Sequence, residues 1–498
     1  MKVTFVYSDN CVGNENKFNV GIASLSGYLK KKGYKTSLIH ISEDINEKDF
    51  IKKIEDANPD VLAFSYMKLT FGDVKRFVKW TDSIQIPKIH GGMQPSMAPD
   101  ETLSVDGIDV ICVGEGEQAL FRFCDAIKNG KSINDIPSLW IKQIDGTIKK
   151  NPIDPLVEEL DTLPFLDFGI FDYANLNDAK NLGRLVVQAS RGCFYKCTYC
   201  GNNYLWKLYP NKKKFLRSFS VDWLIGEIEY GLKLFPHLTN IRFVDDTLTY
   251  DTEWFGEFVK KYKERINLPF SGNDRVENIT PEIAEMLKDA GCFSIDIGIE
   301  NGDNSFRREK MKRFMKDEQI ISAHHLLREK GIVTRAFSIF GMVDETKQIT
   351  LNTVKLNAKA LPDHFIKAYF TPLMNTEAAN MVKEQGLKVK DGATSFFEEP
   401  QVELTTMRSC EIEFFYKYFA WLVYIYNYIF RTNSQYLLRL ADRILLSNYF
   451  PYKCLNKLYF DEGVLVELAR RFRLYDMLRL PYRFTRKLLT PKTGVDAS

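Results

Sequence analysis

The chain has 498 residues, 45% of them hydrophobic and 27% charged, and its 68 lysines and arginines against 65 aspartates and glutamates leave a formal net charge of +3. That length exceeds what one hydrophobic core usually serves, so two or three domains are expected, and the composition excludes a disordered chain. The charge by itself predicts no partner.

The N-terminal MKVTFVYSDN reaches a polar turn within a few residues and has neither the apolar core nor the cleavage site of a secretory signal, so a cytoplasmic protein is expected. Its thiols should then be reduced. The 9 cysteines, odd in number and irregularly spaced, also argue against a disulfide framework.

Residues 1 to about 130 alternate short apolar runs with amphipathic stretches: VTFVY, ASLSGYLKKKG, KTSLIHI, DFIKKIEDANP and DVLAFSY. This alternation predicts a parallel sheet with helical crossovers. The series continues through PKIHGG and DVICVGEGEQALFRFCDAI, and Gly91, Gly92, Gly114 and Gly116 fall just beyond strand ends, where open α/β sheets bind ligands. LWIKQIDGTIKKNP reads as a hairpin around Asp145 and Gly146. The Pro- and Asp-rich IDPLVEELDTLPFLDFGIFDY sustains no period and reads as a linker.

A second alternating series runs through RLVVQAS, NIRFVDD, LPFSGNDR, CFSIDIGIE, IVTRAFSIFG and HFIKAYFTP. Helical stretches separate these strands; in TPEIAEMLKDAG, Thr280 can cap the helix, Pro281 suits its first turn and Gly291 can close its end. Six β/α units predict an incomplete barrel.

After about residue 385 the strand pattern gives way to a predicted helical region. Its run FFYKYFAWLVYIYNYIF, residues 414 to 430, carries Lys417 and Asn427 and falls short of the about 20 residues that a membrane span needs, so it reads as a buried or interfacial helix. The basic tail RRFRLYDMLRLPYRFTRK reads as a solvated helix face, with peripheral contact to anionic lipid as the alternative. The expected division is 1–135, a Rossmann-like domain; 136–183, hairpin and linker; 184–385, the partial barrel; and 386–498, the helical region.

SRGCFYKCTYCGN, directly after RLVVQAS, spaces Cys193, Cys197 and Cys200 as Cys-x3-Cys-x2-Cys on a loop at the C-terminal edge of the barrel, the edge that carries chemistry in this architecture. Three thiolates so close suit one metal centre, because a shared cation offsets their mutual repulsion. A structural zinc would want a fourth protein ligand, and the next histidine is the distant His237. A 4Fe-4S cluster on three cysteines leaves one iron open as a reactive position. Zinc and three incidental cysteines are the alternatives. Cys112, Cys124 and Cys292 fall on apolar faces and read as core residues.

The triad, with Tyr199 just before its last cysteine, resembles the signature of the radical S-adenosylmethionine (SAM) enzymes, and six β/α units match that superfamily's partial barrel. The resemblance implies that SAM chelates the open iron and is cleaved, after one-electron reduction by flavodoxin or ferredoxin, to methionine and a 5′-deoxyadenosyl radical. It also implies roles at successive strand ends. FVDDTLT offers Asp245 and Asp246 where the superfamily often has Gly-Gly-Glu, GNDR offers Arg275, and IGIENG offers Glu300 to SAM or its ribose. FGMVDET resembles the Gly-x-Pro-x-Glu-Thr turn with Val343 in place of proline.

HGGMQPSMAPDETLSVDGIDVICVGEGEQAL and the linker ELDTLPFLDFGIFDY resemble the cobalamin-dependent branch of that superfamily, over residues 1 to about 385. Cobalamin is then expected on the strand ends near Ser65, Gly91, Gly92 and Glu115. The Asp-x-His-x-x-G motif that offers a cobalt ligand is absent from SDNCVGNENKFNVG, which implies cobalamin held without a histidine. The implied activity is methylation of an unactivated carbon in a small-molecule or lipid-like substrate. The rivals are radical rearrangement, cyclisation or ring contraction without methyl transfer, a tRNA- or protein-modifying enzyme, and a non-catalytic cobalamin or redox sensor. No nucleic-acid module appears before the tail, so no nucleic-acid partner is expected.

Overall fold

The computed structural model describes residues 1–10, 16–390 and 395–458. The basic tail lies outside the described residues, as do residues 11–15 of the loop after the first strand.

Two sheets organise the chain. The first carries β1 (Lys2–Ser8), β2 (Lys35–Ile41), β3 (Val61–Ser65), β4 (Lys88–Gly91) and β5 (Val110–Cys112), followed by the hairpin β6 (Leu139–Lys142) and β7 (Ile148–Lys150). Its order is β2-β1-β3-β4-β5-β6-β7, parallel through β5 and antiparallel from there. The hairpin expected to lie with the linker therefore extends this sheet. Because helices cover both faces, β1 is apolar on both: Val3, Phe5 and Tyr7 join one core with Ile22 and Leu29, and Val6 joins another with Phe50 and Phe77. The helix Val20–Lys31 starts where Asn19 Oδ1 accepts from the Ile22 amide at 3.0 Å.

The second sheet is built from β8 (Arg184–Val187), β11 (Asn240–Phe243), β12 (Phe270–Asp274), β13 (Cys292–Glu300), β14 (Val333–Phe340) and β15 (His364–Tyr369), all parallel and in sequential order. Its edges, β8 and β15, do not pair, so the barrel is open. A small antiparallel ladder joins β9 (Ser190–Arg191) to β10 (Arg217–Ser218) beside β8. Thr280 caps its helix through the Ile283 amide at 3.2 Å, as the sequence predicts.

The linker is a strap rather than a tether. Leu160, Leu163, Leu166, Phe168, Phe171, Tyr173 and Leu176 are all buried, and several of them belong to the core that runs continuously from the first sheet into the second. Its apolar residues follow no helical or strand period because they fill irregular gaps between the two sheets and their helices.

Helices resume at Ser409–Lys417 and continue with Phe419–Thr432, Gln435–Leu446 and Tyr452–Leu458, so the described residues between 385 and 408 are not helical. The aromatic run is divided between the first two of these, and Phe415, Phe419, Val423 and Tyr426 pack with Phe340, Leu351 and Val354 of the barrel. It is a core element, and no helix among the described residues is long and apolar enough to cross a membrane.

Candidate cofactor site between the two sheets

The three cysteines lie on the loop between β9 and the helix Gly201–Leu208, where β8 ends. Cys193 and Cys197 are buried, Cys200 is half-buried, and none is in a disulfide. Gly192 makes the approach possible: its φ is +89°, and a Cβ there would lie 2.2 Å from the Phe215 carbonyl oxygen.

Each sulfur has its own donors. The Tyr195 amide donates to Cys193 and the Asn202 amide to Cys200, whereas Arg275 Nη1 lies 3.3 Å and Arg313 Nη1 3.8 Å from Cys197 Sγ. Burial pushes the Cys193 thiol up to about 11 and the Cys200 thiol up to about 12. Such thiols are poor free nucleophiles and ionise only with a bound cation. Among the described residues no three His, Cys, Asp or Glu side chains converge to hold one ion. Three free cysteines on one short loop, two of them buried, are the soft thiolate set that an iron–sulfur cluster takes, one iron to each, so these residues fit it.

Around the loop stand the residues expected at the barrel strand ends. Tyr199 Oη lies 3.4 Å from Arg313 Nη1 and bonds the Glu300 carboxylate, which in turn lies 3.8 Å from Arg313 Nη1. Glu300 sits at φ +65° beside a register shift in β13, and glycine at 298 makes room, because a Cβ there would meet the Glu300 carboxylate at 2.2 Å. The two aspartates separate. Asp245 is buried and accepts from the Ala189 amide at 3.0 Å and from the Ser190 hydroxyl, and burial pushes its carboxyl up to about 6. Asp246 accepts from Asn202 Nδ2 at 2.9 Å and lines the cavity described next. The turn FGMVDET is closed from within, with Glu345 accepting from the Met342 amide at 3.1 Å and from Thr350 at 2.9 Å.

A cavity of about 420 Å³ opens between the strand ends of the two sheets. Ser65, Gly91, Gly92 and Glu115 line it from the first sheet, and Gly192, Asn202 and Asp246 from the second. Gly92 has φ +97° and a Cβ there would lie 2.7 Å from the Tyr66 carbonyl oxygen; Gly114 has φ +94° and would meet Tyr209 Oη at 2.8 Å. These glycines let the loops after β4 and β5 close tightly on Tyr66 and Tyr209 at the rim of the cavity. Among the described residues no histidine lines the cavity: His40 pairs with Asp9 at 3.0 Å, and His90 stacks on Phe64 with ring centroids 4.6 Å apart.

Glu115, expected to contact cobalamin, spends its carboxylate on the protein. It takes Arg217 Nη2 at 2.8 Å, Arg191 Nη1 at 3.5 Å and the Val157 amide at 3.0 Å. Beside it Arg191 Nη2 reaches Glu117 Oε1 at 2.7 Å and Ser24 Oγ at 2.9 Å. The glutamates come from GEGE after β5 and the arginines from β9 and β10, so the two sequence motifs grip one another across the cavity. Sequence reasoning missed Arg191, Arg217 and Glu117 as such a network, and it missed Arg313. The first lies inside the cysteine stretch itself; Arg313, in KMKRFMK, looks like a solvated charge run.

Two ligand-binding sheets facing one cavity, one of them ending in a three-cysteine loop, define a two-cofactor enzyme. Residues 15–123 match the B12 binding domain family and residues 187–357 the radical SAM superfamily. The chain belongs to the radical SAM enzymes that carry a cobalamin-binding domain, whose cofactors are a 4Fe-4S cluster, SAM and cobalamin. It is 24% identical over 367 residues to an uncharacterized methyltransferase of Pyrococcus horikoshii, covering 72% of this chain and 76% of the relative. It is 25% identical to the anaerobic magnesium-protoporphyrin IX monomethyl ester cyclase of Rubrivivax gelatinosus, over 70% of this chain and 64% of that one. Among solved structures, OxsB, a cobalamin-dependent SAM radical enzyme, superposes with TM-score 0.68 at 18% identity, over 95% of this chain and 75% of that one. TsrM from Kitasatospora setae, a radical SAM methyltransferase, superposes with TM-score 0.64 at 16% identity, over 77% and 75%.

Proposed function

We propose that this enzyme methylates an unactivated carbon of a small-molecule or lipid-like substrate. The observation that carries the reading is the shared cavity, which brings the glycine-lined edge of the first sheet and the cysteine loop of the second to one space. The methyltransferase relatives support it. A carbon without a lone pair cannot attack SAM directly, so both sheets' cofactors are needed at one place. When bound, those cofactors supply a 5′-deoxyadenosyl radical and a transferable methyl group.

Cys193, Cys197 and Cys200 would hold the cluster. Asp246 would meet SAM, because its carboxylate faces the cavity while that of Asp245 ties down the end of β8. Ser65, Gly91 and Gly92 would face the corrin. Arg191, Arg217, Glu115 and Glu117 hold the two edges at a fixed separation. An external one-electron donor of the flavodoxin or ferredoxin class would supply the electron.

The cyclase relatives favour one second reading, ring formation without methyl transfer. Product analysis divides the two. Methylation consumes two SAM molecules, so 5′-deoxyadenosine and S-adenosylhomocysteine should accumulate in near-equal amounts and a labelled SAM methyl should enter the product. Substrate-dependent deoxyadenosine without homocysteine product or label would leave cyclisation or rearrangement.

A further inference from the structure

We infer that Arg275 and Arg313 act together as charged donors to the sulfur of Cys197 and thereby raise the reduction potential of the cluster on that loop. The inference rests on the cluster reading above.

The two guanidinium groups approach one sulfur from different elements. Arg275 follows β12 and reaches Cys197 Sγ through Nη1 at 3.3 Å; Arg313 comes from the segment after the helix Asn304–Glu309 and reaches it through Nη1 at 3.8 Å. Their side chains are only 7% and 4% exposed, so water screens little of either charge. Neither group is free to swing away. Glu277 clamps Arg275 on the edge turned from the sulfur, with Nη2 at 2.6 Å and Nε at 3.2 Å, and the Tyr195 ring centroid lies 3.6 Å from the guanidinium carbon. Arg313 is fixed by the Gly298 carbonyl, by Tyr199 Oη at 3.4 Å and by Glu300.

The arrangement is one-sided. Cys193 and Cys200 receive backbone amides and feel the negative charge of Asp246, which Arg275 partly offsets at Cys193, whereas Cys197 alone of the three has side-chain donors among the described residues. One-electron reduction adds a negative charge to a cluster and its thiolates. Hydrogen bonds to the sulfurs and nearby positive charge stabilise that reduced form. The electron comes from a flavodoxin- or ferredoxin-class donor, or from dithionite in the test, and no covalent bond in the protein is made or broken. Arginine suits the position because it stays protonated and offers several donors in one plane, serving a carboxylate and a sulfur at once.

The test uses the full chain, anaerobically reconstituted, with Arg275→Gln and Arg313→Gln made singly. Iron, sulfide and the absorbance of the oxidised cluster report whether a cluster is bound, and paramagnetic resonance during a dithionite titration gives the midpoint potential. Each variant should hold the cluster, and at a fixed donor potential its ratio of reduced to oxidised cluster should fall about tenfold, which is about 59 mV for one electron. Arg275→Lys, which keeps the charge, should recover part of the loss. An unchanged midpoint in both glutamine variants, with iron and sulfide intact, overturns the inference and leaves the cluster reading standing. A native chain that binds no iron and sulfide overturns the cluster reading instead. If a glutamine variant loses its cluster, Arg275→Lys and Arg313→Lys decide: a smaller shift in the same direction supports the role, and native midpoints in both overturn it.

Discussion

Replacing Arg191 by methionine tests whether the grip across the cavity holds the two sheets together. Arg191 and Glu117 are 16% and 5% exposed and 2.7 Å apart, and Arg191 also reaches Ser24. Methionine keeps much of the volume but leaves Glu117 buried with Ser24 as its side-chain donor, 2.8 Å away. Removing one partner of a buried pair costs about 3–5 kcal/mol, a large share of the about 5–15 kcal/mol that holds a typical domain folded. The loss has a pH signature. In the native chain burial pushes the Glu117 carboxyl up, but Arg191, together with the backbone amide and Ser24, outweighs burial and holds it below the usual glutamate range. This stability is present above the unfolded glutamate value, about 4.3, and fades as pH falls through the lower folded value. In Arg191→Met burial is opposed only by Ser24 and the backbone amide, the carboxyl rises, and the penalty is largest at neutral pH and shrinks as protonation removes the charge. Urea denaturation of both proteins at about pH 7.5 and about pH 5.5 should show the gap narrowing at the lower pH. Arg191→Met with Glu117→Gln should be more stable at neutral pH than Arg191→Met alone. A single variant within about 1 kcal/mol of native at neutral pH, or a gap that does not change with pH, refutes the reasoning.

Three further outcomes are expected. Cys193→Ala, Cys197→Ala and Cys200→Ala should each abolish SAM cleavage in reconstituted protein while Cys112→Ala, Cys124→Ala and Cys292→Ala do not; stoichiometric zinc without iron or sulfide, with both metals offered, would count against the cluster. Asp246→Asn should weaken SAM binding about tenfold or more with little change in thermal stability, whereas Asp245→Asn should lower the melting temperature, because its carboxylate ties the end of β11 to the connection between β8 and β9; the reverse pattern would exchange their roles. Because Phe419, Val423 and Tyr426 are spent on the barrel core, the chain should extract without detergent, and retention through high salt and alkaline washing would contradict that packing.

The sequence alone determined the two alternating series, and with them two parallel sheets, because short apolar runs and capped amphipathic stretches are local properties. It also exposed the cysteine loop, since ligand spacing within a single loop is written in adjacent residues. Three-dimensional contacts decided the rest. DD in FVDDTLT is symmetrical on paper; the end of β11 turns Asp245 into the body and Asp246 to the cavity. The hairpin around Gly146 reads identically whether it tethers two domains or extends a sheet, and only pairing of β6 with β5 settles it. Glu115 is legible as a residue at a strand end, but nothing beside it points to its partners Arg191 and Arg217, 76 and 102 residues further along the chain. Arg313, 116 residues from Cys197, carries no local mark of its role. A buried charge takes its meaning from partners that satisfy it, and in a fold built from crossovers those partners are distant in sequence, so their identity is fixed only when the strand ends meet.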